Sequence, residues 1–119
     1  MTATAHQREH ASITPVTMFP GVVRRTLVSG ERQTLVEIAL DAGAEVPEHT
    51  HPHEQAGQVQ TGRVMLRLGD GPEREVGPGG AYLIPGGLPH FVRALEASRL
   101  VEVFAPVRDE FVDYEPAAG

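Results

Sequence analysis

The chain of 119 residues contains no cysteine. A disulfide framework, a thiolate nucleophile, an iron–sulfur cluster and a structural cysteine–zinc site are all excluded, so any metal must be held by imidazole, carboxylate or amide groups. Positive charge is scarce as well: 10 Lys and Arg stand against 16 Asp and Glu, a net charge of −6. An acidic surface repels phosphate backbones and anionic headgroups, so neither a nucleic-acid nor a membrane partner is expected. No run approaches the roughly 20 apolar residues that a bilayer crossing needs. The opening MTATAHQREHAS lacks the apolar core of a secretion signal, and the expected location is cytoplasmic. Internal repeats, low-complexity tracts and linkers are also missing.

Glycine and proline are plentiful, 13 and 10 respectively. From Val16 onward they punctuate short apolar runs, and no segment sustains a 3.6-residue period. VVRRTLV (Val22 to Val28), the turn SGER and QTLVEIAL (Gln33 to Leu40) read as two strands and their connection. QVQTGRVMLRLG (Gln58 to Gly69) reads as strand, turn at Thr61-Gly62, strand. GDGPE and VGPGG read as turns, followed by strands in AYLIP (Ala81 to Pro85), PHFVRAL (Pro89 to Leu95) and RLVEVFAP (Arg99 to Pro106). Eight or nine strands about ten residues apart predict an all-β sandwich or barrel over residues 16–119, preceded by a flexible N-terminal arm, residues 1–15. The tail VRDEFVDYEPAAG is expected to add one short helix or strand.

Three of the six histidines fall at alternate positions in PEHTHPHEQAG, Pro47 to Gly57. On a strand, residues two apart share a face, so His49 and His51 point the same way, an arrangement suited to a divalent transition metal. Pro47 and Pro52 bracket them and stiffen the segment. His53 and Gln55 keep the same parity, with His53 expected beside any ion the row holds or, alternatively, as one of its ligands. Glu54 has the opposite parity and faces away. HQREH, His6 to His10, fits a zinc-peptidase pattern that needs a helix, and its polar setting argues against that use.

The spacing around these histidines resembles the cupin family. Gly43, His49, His51, Gln55 and Gly62 match the first cupin motif, with Gln55 where the motif has Glu. Gly79, Pro85, Gly87 and His90 match the second, with Ala94 in place of a terminal Asn, after a 16-residue spacer from Arg63 to Pro78. The resemblance implies a single-domain cupin jelly-roll β-barrel in which His49, His51, Gln55 and His90 bind one divalent transition metal, whether Zn, Ni, Mn, Co or Fe. Three imidazoles and an amide leave the ion's charge uncompensated, and the lack of a carboxylate ligand counts against iron–oxygen chemistry.

In LVEVF, Leu100 to Phe104, Glu102 shares a face with Leu100 and Phe104, while Val101 and Val103 line the other. Periodicity alone leans slightly toward buried valines and a solvated Glu102. However, VEVFAPVRDEF, together with the HPHEQ of the first motif, resembles the pectin-degradation cupins that linearise unsaturated uronates. That resemblance implies catalytic roles for Glu102, Phe104 and Arg108, where relatives usually carry Asp at the first position. It further implies a 4,5-unsaturated monouronate as substrate, an anionic sugar-derived small molecule, and no organic cofactor. Gln58 and Gln60 depart from the aromatic and aliphatic residues usual there and suggest an altered outer face or subunit contact. Arg24, Arg25 and Arg63 are expected on solvated strand faces, with the alternative that one reaches the pocket and binds an anionic ligand. A homodimer is the expected assembly, paired through outer sheets. Two alternative functions are a metal-dependent dioxygenase of a small molecule and a non-catalytic sugar- or metal-binding cupin.

Overall fold

In the computed structural model, which describes residues 4–116, ten strands are arranged in two antiparallel sheets. The strands are β1 (Val16–Phe19), β2 (Val22–Ser29), β3 (Thr34–Leu40), β4 (Glu45–His49), β5 (Glu54–Thr61), β6 (Val64–Leu68), β7 (Arg74–Val76), β8 (Ala81–Ile84), β9 (His90–Ala94) and β10 (Ser98–Ala105). The larger sheet runs β1-β2-β3-β10-β5-β8 and the smaller β4-β9-β6-β7. This is the expected all-β jelly roll, with its strands close to their anticipated positions. The unanticipated β7 lies between two glycine-rich turns, where Val64 pairs with Val76 along β6. Three residues are too few for a periodic signal. In the tail, Asp109–Phe111 forms a 3-10 turn.

Two-residue alternation builds the core. Val36, Ile38 and Leu40 of β3, Leu100 and Phe104 of β10 and Val59 of β5 project inward against Val64, Leu66 and Val92 of the facing sheet. The turn at Thr61-Gly62 is tight: Gly62 has a φ of +85°, and a Cβ there would strike the Ser98 side chain and the Ala97 carbonyl. That close approach requires glycine.

Two charged residues lie inside this framework. Arg24 is buried on the inward face of β2, a correction to its expected solvated position; its Nη2 meets Asp113 Oδ2 at 3.0 Å and its guanidinium covers the Phe111 ring at 4.3 Å. Thr26 Oγ1 donates to the Phe111 carbonyl at 2.6 Å. These contacts hold the tail against β2. On the outer face of β3, Glu37 is buried beneath His10 at 3.0 Å, Arg25 at 3.6 Å and Arg99 at 3.8 Å. Arg63 stays exposed and pairs with Glu75. Within residues 4–15, Arg8 donates to the Thr26 carbonyl, His6 bonds the Tyr114 hydroxyl and Ile13 is buried. His6 and His10 of HQREH therefore take separate partners.

Candidate metal centre and pocket

Two connections bring three imidazoles together. β4 ends at His49, and residues 50–53 form a loop before β5. His51 thus lies beyond the strand, yet Thr50, Pro52 and Glu54 are exposed while His51, His53 and Gln55 are buried. Inward parity therefore survives the proline. The loop is pinned by Gly87 N–H donating to the His51 carbonyl at 2.8 Å. His90 opens β9 and pairs with His49 across the small sheet. His49, His51 and His90 each offer a nitrogen within 4.8 Å of the other two.

Backbone carbonyls fix the rings. Nδ1 of His49 lies 2.9 Å from the Pro47 carbonyl, Nδ1 of His51 3.1 Å from that of His53, and Nδ1 of His90 2.8 Å from that of Leu88. A carbonyl only accepts, so each Nδ1 carries the proton and each Nε2 presents a lone pair. Nε2 of His90 is buried with no hydrogen-bond partner among the described residues. Burial pushes the His90 pKa down to about 4, and it lowers that of His51 as well, with Arg108 adding to the effect. Neutral imidazoles with inward lone pairs form a donor set that fits a divalent transition metal. The three histidines are positioned to bind a metal ion.

Gln55 and Glu102 extend the site. Gln55 Oε1 stands 3.0 Å from His51 Nε2, and its Nε2 donates to Glu102 Oε2 at 2.7 Å. β10 turns Leu100, Glu102 and Phe104 inward, so the preference from periodicity for buried valines is overturned: Glu102 is only 8% exposed. Burial raises its pKa, while hydrogen bonds from Tyr82 and Gln55 and the charge of Arg108 pull the other way. The Tyr82 hydroxyl donates to the same Oε2 at 2.6 Å. Burial and the neighbouring Glu102 carboxylate push the Tyr82 pKa well up.

His49, Gln55, Tyr82, His90 and Glu102 line one cavity of about 110 Å³, whose walls are otherwise mostly apolar. Phe104 packs its edge toward the His51 ring at 5.5 Å. Arg108 also reaches the cavity, its guanidinium 4.7 Å from the Phe104 ring and 4.0 Å from that of Phe111. Its Nε donates to Glu110 at 2.7 Å, which holds that carboxyl below its usual range. His53 is buried outside the three-histidine cluster, its Nδ1 unpartnered among the described residues. Gln58 and Gln60 are exposed on the outer face.

Sequence reasoning missed Tyr82. The available signal was Gly57, a glycine interrupting a strand, which often marks close approach by another group.

A cupin-domain profile matches residues 36–104, and the chain belongs to the cupin family. An RmlC-like cupin from Shewanella frigidimarina superposes with a TM-score of 0.85 at 25% identity, over 94% of this chain and 100% of that one. The KdgF of a Halomonas species superposes with a TM-score of 0.83 at 27% identity, over 91% and 100%. An oxalate decarboxylase of Bacillus subtilis, in a mutant form, shares the fold at 22% identity and a TM-score of 0.78, over 91% of this chain and 31% of its own. No curated protein matches the sequence. Among the described residues, no helix is long and apolar enough to cross a membrane.

Proposed function

We propose that the chain is a metal-dependent enzyme that opens the ring of 4,5-unsaturated monouronates to the linear keto form. The observation that carries this reading is a buried carboxylate, Glu102, sharing one cavity with Arg108 and with His49 and His90, two members of the three-histidine cluster that His51 completes. The likeness to the Halomonas KdgF structure supports it.

His49, His51, His90 and the Gln55 carbonyl oxygen would hold the ion. Gln55 Oε1 and His51 Nε2 both present lone pairs at 3.0 Å, an unfavourable contact that a shared cation relieves. When bound, the metal supplies Lewis acidity that polarises a substrate oxygen.

The residues of the chain account for the remaining chemistry. Arg108 pairs with the uronate carboxylate: Glu110 engages Nε, and the two terminal nitrogens have no other partner among the described residues. Phe104 and the apolar wall exclude water around the enol ether. Opening transfers the hemiacetal O–H proton away as the C1–ring-oxygen bond breaks. The electron pair on that oxygen forms an enol, and protonation at C4 gives the ketone. Glu102, its proton affinity raised by burial, moves that proton. The product is an isomer, so no oxidant or organic cofactor is consumed.

The test mixes metal-reconstituted protein with 4,5-unsaturated galacturonate and follows the ultraviolet absorbance of the enol ether. Loss of the chromophore faster than in buffer, and absent with His90→Ala, is the expected result. No acceleration with Zn, Ni, Mn, Co or Fe(II) overturns the reading and directs attention to oxygen uptake.

A further inference from the structure

Gly57 sits in the middle of three strands, opposite Tyr82 on β8 and opposite Glu102 on β10. The two outer residues are separated by two strand spacings, roughly 9.5 Å. Ordinarily an inward side chain on the central strand would fill that gap. Here the Tyr82 ring fills it, lying so close over Gly57 that a Cβ would collide with the ring and its hydroxyl. The absent side chain lets the phenol reach Glu102.

The consequence is unequal use of the carboxylate oxygens. Tyr82 O–H and Gln55 N–H both donate to Oε2, at 2.6 and 2.7 Å, and no hydrogen bond among the described residues reaches Oε1. A carboxyl rotates about its last bond unless something stops it. Two donors arriving at one oxygen from neighbouring strands do so. They commit Oε2 to the protein and leave Oε1 to the cavity that Glu102 lines. The fixed Oε2 then decides which way the Gln55 amide faces. Its N–H group must point at Glu102, so its carbonyl oxygen points at His51.

We propose that Tyr82 is a positioning residue: through Glu102 it orients the Gln55 carbonyl toward the metal centre and presents Glu102 Oε1 to substrate, and Gly57 is the opening that admits it. This deepens the ring-opening reading and rests on it for the kinetic measurements; the metal-binding measurements stand apart from that reaction. Outer partners of metal ligands typically contribute 10–100-fold in affinity or activity.

The test is competitive titration of Zn and Ni into purified full-length variants, with thermal melting of the metal-free proteins alongside. Tyr82→Phe keeps the ring and removes the donor, and should weaken metal affinity about tenfold. Gly57→Ala leaves every polar atom in place and displaces the ring, and should give a similar loss; it also serves if Tyr82→Phe fails to fold. Adding Tyr82→Phe to Glu102→Ala should weaken metal no further, because the tyrosine acts through that carboxylate. A change in stability alone would not produce this pattern. On the uronate, Tyr82→Phe should lower kcat about tenfold or more with KM nearly unchanged. Unaltered metal affinity in both single variants, or an additive loss in the double variant, overturns the proposal. If the wild type does not turn over the uronate while Tyr82→Phe still weakens metal, the function fails and the positioning role stands.

Discussion

Gln55 Oε1 and His51 Nε2 face each other at 3.0 Å without a proton to share. The imidazole proton is on Nδ1, held by the His53 carbonyl, and the Gln55 N–H group is held by Glu102. Folding has thus brought lone pairs together inside the barrel, where their mutual repulsion is poorly screened.

That concentration of lone pairs predicts that the site depends on each imidazole. His90→Ala removes one of three converging nitrogens and should cut divalent-metal affinity by more than about a hundredfold, beyond the loss of an outer partner. His51→Ala should behave alike. Metal content after dialysis checks both, since a variant retaining about one ion per chain would remove that histidine from the ligand set.

Glu102→Gln keeps the size of the side chain and an oxygen able to accept from Tyr82 and Gln55, so metal content should persist. Proton transfer is lost, and kcat on the unsaturated uronate should fall by about 10²–10⁴-fold. Parallel elemental analysis and kinetics decide it; full activity would remove Glu102 from the mechanism.

The metal-free protein should lose stability on acidification. His90 has its pKa lowered to about 4 from 6.5 by burial, with His49, His51 and Arg108 also opposing its charge. Between those values the unfolded chain binds a proton that the folded chain refuses, so stability rises with pH through this window and levels off above it. The slope attributable to His90 is at most about 1.4 kcal/mol per pH unit. Urea unfolding at several pH values, for wild type and His90→Ala, isolates this share by difference.

Asp113→Ala should loosen the attachment of the tail to β2. It leaves the Arg24 guanidinium buried without its carboxylate, but the Asp113 side chain is 34% exposed and water can partly replace it. The cost is therefore expected at about 1–2 kcal/mol, below the 3–5 kcal/mol of a fully buried pair. A shift in the urea midpoint with unchanged slope measures it.

Much of the barrel was legible because strand alternation and glycine or proline turns are local signals. The inward parity of His49, His51 and Gln55 could be read in the same way, and it continues past Pro52 because the loop is anchored to Gly87. β10 was not legible on the same grounds. Val101 and Val103 on one face balance Leu100 and Phe104 on the other, leaving local hydropathy almost indifferent to which face is buried. Arg24 was misread because a charged residue ordinarily predicts a solvated face. Its partners, Phe111 and Asp113, lie almost ninety residues away in sequence.

The sequence by itself determined the strand succession, the cupin spacing and the inward row of histidines, since each depends on neighbours a few residues apart. Only the tertiary structure decided that Glu102 turns inward, that Tyr82 crosses Gly57 to reach it and that the tail closes over Arg24. Each of those outcomes depends on strand register and on donors from distant segments that satisfy a buried charge, and such pairings exist only once the sheets have formed.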